Sequence, residues 1–191
     1  MKSDVIAVSN KQDNIEQVLS QTDRVASYRD LSHKGALHLR LLAEEMMNMM
    51  RALVGEAEGQ FWIESEGDQF TLHLKAKTVV DPEAREKLLS VSTTGRNEAH
   101  RGFTGKIRAF FEPFETAPFF LDPDLAGAGA DLVWSMRVYE QQLIEYVRDA
   151  RDGAAEAWDE LEKSVIAHVA DDVKVSVRNG EAEMIVSKQL S

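Results

Sequence analysis

The sequence predicts an α+β domain, a two-layer sandwich in which helices cover one mixed, mostly antiparallel sheet. Three observations predict it. Alternating apolar segments flank tight turns at Gly67-Asp68 and again at Asn179-Gly180. Stretches with apolar residues three and four apart lie between those hairpins. The order is strand, helices, hairpin, helix, long loop, helices, hairpin. Strands with local partners and helices grouped between them form one sheet under a helical layer.

The first element is a short strand on Val5, Ile6 and Val8. Asp13 or Asn14 is placed to cap a helix running to about Tyr28, with Ile15, Val18, Leu19, Thr22, Val25 and Ala26 on one face. Ser32 is a cap for the next helix, over residues 32–54. There Leu39, Leu42, Ala43, Met46, Met49, Met50 and Leu53 make one apolar stripe. Glu44 and Asn48, four apart, project from the opposite side, and Leu37 and Leu41 precede them on that side. A wholly solvated back would not carry two leucines. The methionines in this helix read as core filler.

Gly55 and Gly59 end the helix. Phe61, Ile63 and Ser65 then alternate with Trp62 and Glu64, and Phe70, Leu72 and Leu74 alternate with Thr71, His73 and Lys75. Asp81-Pro82-Glu83 opens another helix with a cap, a proline and an acid near the positive end. Residues 92–105 read as a polar loop and residues 106–111 as a short helix. Residues 112–130 hold Pro113, Pro118, Pro123 and Gly127-Ala128-Gly129, which predicts a long irregular connection anchored by Phe114, Phe119 and Phe120. Residues 131–148 read as helix, with a strand at the start (Trp134, Met136, Val138) as the rival. Residues 154–170 read as one helix. Asp171-Asp172 leads into the last hairpin, where alternation around Asn179-Gly180 is the strongest short-range hairpin signal.

A chain of 191 residues fits one domain, residues 1–191. With 22 Lys and Arg against 33 Asp and Glu, its net charge is -11, which disfavours nucleic acid as a partner. It holds no cysteine, so disulfides and thiolate metal sites are excluded. No apolar run is long enough to span a bilayer, and Met1 to Val8 lacks a signal-peptide core. These features predict a soluble, cytoplasmic protein with no membrane partner. His33, His38, His73, His100 and His168 show no metal-ligand spacing. His33 is the one weak phosphoacceptor candidate.

The segment LLAEEMMNMM, followed by two strands and a later glycine-bearing stretch, GRNEAHRGFTGKI, resembles the histidine-kinase-like (GHKL) ATPase superfamily, in its anti-sigma-factor and serine-kinase-like branch. The resemblance implies ATP and Mg²⁺ as ligands and a regulatory protein acting on a partner, as a weak ATPase or a protein kinase. Glu44 would activate the attacking water, and the Asn48 side-chain oxygen would hold Mg²⁺ on the phosphates. Gly102, Thr104, Gly105 and Lys106 would form the phosphate turn, with backbone N–H groups receiving the anion.

The chain departs from that family at one place. After the second hairpin strand the family carries an Asp-x-Gly-x-Gly box that reads adenine. Here the stretch is LHLKAKTVVDPE, with lysines about where the acid belongs. The alternative expectation is therefore a non-catalytic interaction module that kept the fold and lost the nucleotide, with a protein partner or a homodimer. The aromatic stretch over residues 110–120 is its predicted contact surface. An enzyme of another class ranks last, because no nucleophile stands beside a matched base.

Overall fold

The computed structural model describes residues 1–9, 12–54, 58–77, 132–149, 154–178 and 181–191. Six strands form one sheet in the order β1-β2-β3-β6-β5-β4. They are β1 (Ile6–Ser9), β2 (Glu58–Glu66), β3 (Gln69–Lys77), β4 (Leu132–Ser135), β5 (Asp172–Arg178) and β6 (Glu181–Gln189). Among the described residues five helices accompany them: α1 (Gln12–Tyr28), α2 (His33–Val54), α3 (Met136–Arg148), α4 (Ala154–Lys163) and α5 (Val165–Val169). The α+β class is as expected. Where the sequence predicts a mixed, mostly antiparallel sheet, every pairing among the described strands is antiparallel.

Both hairpins form where the alternation predicts them. Ser65 pairs with Phe70 and Glu66 with Gln69 around a turn in which Gly67 has φ +54°. That left-handed backbone favours glycine. Arg178 pairs with Glu181, so β5 and β6 close around residues 179–180. Between β3 and β6, pairing runs the full length from Gln69↔Gln189 to Lys77↔Glu181, which joins the two hairpins into one sheet. Gly59 permits a close approach, since a Cβ there would stand 2.6 Å from the Lys75 carbonyl oxygen.

One face of the sheet builds the core. Phe61, Ile63, Phe70, Leu72, Leu74, Val173, Val175, Met184 and Val186 are buried with Val18 and Val25 of α1, Leu39, Leu42 and Met46 of α2, and Tyr139, Leu143 and Ile166 of the later helices. The period of two along each strand sends the alternate residues Trp62, Glu64, His73, Lys75 and Glu183 to the second face.

α2 crosses the sheet between α1 and α5, packing on β3 and β6. Ser32 caps it as expected, because Gly35 N donates to Ser32 Oγ at 3.1 Å. Its buried stripe includes Met47, which the helical stripe omitted. Met47 lies toward the α1 flank, on the side where Arg40 reaches Asp23, so a neighbouring helix extends the apolar arc. α1 ends in a left-handed residue, Asp30 (φ +52°), with Leu31 N on Ala26 O and Asp30 N on Ser27 O. This is a Schellman motif with aspartate at the C′ position.

Two boundaries differ from the sequence reading. Residues 132–135 form β4, and the helix expected from 131 begins at Met136. The segment is strand first and helix second, because pairing with Val177, Ser176, Val175 and Lys174 claims its backbone. The single helix expected over 154–170 breaks at Ser164, whose ψ is 121°. The break rotates the buried face by one position: Val165 is 43% exposed while Ile166 is 0%. Asn14 lies in the first turn of α1, and its amide donates to Ser9 Oγ at 2.6 Å. The elements expected between residues 78 and 131, including the connection at 112–130, lie outside the described residues.

Candidate functional site

α2 carries the two residues on which the site was expected. Glu44 and Asn48 are both exposed, on the flank directed away from the core. With them on that flank stand Lys34, Leu37 and Leu41. Leu37 keeps 47% of its surface in water, and Leu41 is half-buried. The neighbouring Glu45 is half-buried; burial pushes its carboxyl above the ordinary glutamate range, and the Glu44 charge adds to the shift.

A groove of about 600 Å³ opens beside this flank, lined by Glu16, Leu19, Ser20, Asp23 and Arg24 of α1 and by Arg40 of α2. Asp23 and Arg40 close an ion pair across it. Neither Glu44 nor Asn48 lines that groove. Gly102, Thr104, Gly105 and Lys106 lie outside the described residues, as do the neighbouring cations Arg96, Arg101 and Arg108 and the aromatic stretch over 110–120.

Glu44 and Asn48 set one carboxylate and one amide on the same flank, and among the described residues no group of three or more His, Asp or Glu is placed to hold a metal ion. Lys75 stands in β3, near where the resemblance expects an adenine-reading acid. Its ammonium lies 2.7 Å from Glu181, and that hydrogen bond and charge raise its pKa. Lys75 thus serves an ion pair across β3 and β6. His33 is exposed at the first turn of α2.

The second face of the sheet carries a cluster that the sequence reading did not single out. Trp62 and His73 are directly opposite in the β2–β3 register, and their rings stack with centroids 4.6 Å apart. Lys2 Nζ stands 4.8 Å from the centre of the Trp62 ring. The indole N–H donates to Glu64 at 3.0 Å, and Lys2 pairs with the same residue at 3.0 Å. Hydrogen bonds from Lys2 and Trp62 hold the Glu64 carboxyl below the usual range. Glu183 of β6 lies 3.3 Å from His73 Nδ1. The signal was present in the sequence: Trp62 and His73 are equidistant from the Gly67-Asp68 turn, which makes them cross-strand neighbours.

A further charged group gathers where β5 begins. Ser135 Oγ donates to Asp172 at 3.4 Å, and Asp171 accepts from Lys188 and from Gln189 N, both at 2.6 Å. Burial would raise the Asp171 carboxyl, but the Lys188 hydrogen bond, the Gln189 N–H and the charges of Lys188 and Arg137 hold it low. Glu140 is pushed up, first by burial and then by Asp172, against Arg137. Every acid here has a cation nearby, which fits a structural corner better than an open site.

No helix among the described residues is long and apolar enough to cross a membrane. No protein-family model matches the chain, and no curated protein matches it.

Proposed function

We propose that this chain is a non-catalytic regulatory module that acts by binding another polypeptide chain through the helical layer. One observation carries the reading. The outer flank of α2 presents Leu37 and Leu41 in line with Lys34, Glu44 and Asn48, a mixed apolar and charged strip next to an open groove. Such strips, apolar in the middle and polar at the rim, are what protein interfaces use. The tie between Lys75 and Glu181 supports it further, since the residue near the adenine-reading position is committed to the sheet.

A nucleotide-binding regulator, as a weak ATPase or protein kinase, is the second reading. Its support is that Glu44 and Asn48 keep the family's spacing on an accessible flank. A thermal melt with millimolar Mg·ATP separates the two. A ligand at a hundred times its dissociation constant adds about 2.7 kcal/mol to stability. The interaction reading expects no rise in Tm. A rise that Glu44→Gln and Asn48→Ala both abolish would overturn it in favour of the nucleotide.

A further inference from the structure

We propose that the occupant of the outer flank of α2 is a second copy of this chain, docked with its own α2 antiparallel. This rests on the reading of the chain as an interaction module and names its partner.

Lys34, Leu37, Leu41, Glu44 and Asn48 follow one another at spacings of three, four, three and four. That is the spacing of a seam between two packed helices. Four of the five are exposed and Leu41 is half-buried, so the seam has no cover among the described residues. Its charged flanks are already engaged on one side, where Arg40 pairs with Asp23.

The order along the seam is cation, leucine, leucine, acid. Such an order complements itself only when reversed. Setting Leu37 against Leu41 of the partner subunit, antiparallel, sets Lys34 against Glu44 of the partner subunit. The two-fold axis repeats both layers. Two leucine layers are thus closed at each end by a Lys–Glu layer. A parallel alignment would set lysine on lysine and glutamate on glutamate, which charge repulsion disfavours. The two-fold arrangement uses the same patch twice, as the commonest dimers do. A dimer held by so short a seam depends on protein concentration, so its population rises as the chain is concentrated.

Sedimentation equilibrium from micromolar to millimolar protein tests this through charge reversal. Lys34→Glu alone creates two Glu–Glu layers, and Glu44→Lys alone creates two Lys–Lys layers. Each is expected to weaken self-association by roughly tenfold or more. Mixing the two single variants restores opposite charges in both layers, so the mixture should associate where each alone does not. The doubly reversed chain, Lys34→Glu with Glu44→Lys, should self-associate like the original. Leu37→Ala, which alters an exposed side chain, should weaken association while leaving Tm unchanged at dilutions where both chains are monomeric, and it stands as the check if a charge variant fails to fold.

A chain that stays monomeric throughout would overturn the proposal, as would single reversals without effect or a mixture that does not associate. A monomer that also ignores Mg·ATP leaves the interaction reading standing with another partner. A monomer stabilised by Mg·ATP through Glu44 and Asn48 sinks that reading too.

Discussion

The indole of Trp62 and the imidazole of His73 lie face to face on the second side of the sheet, with 5° between their planes. The strand register holds them there, and Glu64 and Glu183 fix their polar edges. Stacked aromatic pairs are worth about 0.5–1.5 kcal/mol beyond their buried area. A double-mutant cycle with Trp62→Ala and His73→Ala, followed by urea unfolding, should return a coupling in that range. A coupling within about 0.3 kcal/mol of zero would show that the two rings are neighbours without being partners.

Asp30 offers a stabilising change. It holds φ +52° at the C′ position of the Schellman motif that ends α1, and its side chain is exposed. The left-handed backbone costs an L-residue roughly 1–2 kcal/mol, less for aspartate than for most. Glycine removes that cost but adds about 0.4–1 kcal/mol of unfolded-state entropy. Asp30→Gly should therefore gain about 0.5 kcal/mol net, raising Tm by about 1–2 °C in a chain of this size. A lowered Tm would mean that the Asp30 side chain contributes more than its backbone costs.

The hairpins were legible because a period of two needs only neighbours in sequence, and Gly67 and Asn179-Gly180 mark the turns. The helical stripe through Leu39, Leu42 and Met46 was legible for the same reason. What failed depended on partners far along the chain. Leu132 is in phase with Met136, Tyr139 and Leu143, so helical spacing ran straight through residues that β5 claims as a strand. Val165 is in phase with Leu161, yet the break at Ser164 turns it outward. The flank of Glu44 and Asn48 was also read correctly from the helix period. A helix period says which way a side chain points, not what stands in front of it, and so could not decide between a cleft and a docking strip.

Glu45 makes stability depend on pH in a defined direction. Burial, and then the Glu44 charge, raise its folded-state pKa above the ordinary glutamate value of 4.5. The folded chain thus holds this proton more tightly than the unfolded chain does. The contribution of Glu45 is fully present below that ordinary value and is lost as pH rises through the folded value. Glu45→Gln should raise the urea midpoint at neutral pH and give a smaller gain at about pH 4, where the native carboxyl is already protonated. An equal gain at both pH values would show that the effect comes from packing and not from charge.

Ser3 ties the first strand region to the helical layer through one oxygen. Its Oγ accepts from Gln21 Nε2 and from Ile63 N, each at 2.9 Å, and donates to the Asp4 carbonyl oxygen at 3.0 Å. Gln21 is 3% exposed, so its amide has little access to water as a substitute. Ser3→Ala leaves the Ile63 N–H without its acceptor and removes one of the two bonds that Gln21 makes. Losing the partner of a buried donor costs about 1–3 kcal/mol. At roughly 2–4 °C for each kcal/mol, Tm should fall by at least about 2 °C. The exchange pattern distinguishes this local cause from a general loss of stability. The Ile63 amide should exchange faster relative to amides of β6 at the centre of the sheet, and Ser3→Thr, which keeps the oxygen, should return it toward its original rate. If Ile63 keeps its place in the protection order in Ser3→Ala, the hydroxyl is not what shields it, and the attachment of residues 1–5 to β2 rests on the backbone bonds of Ser3 N to Ile63 O and of Ser65 N to Met1 O and on the Lys2–Glu64 ion pair instead.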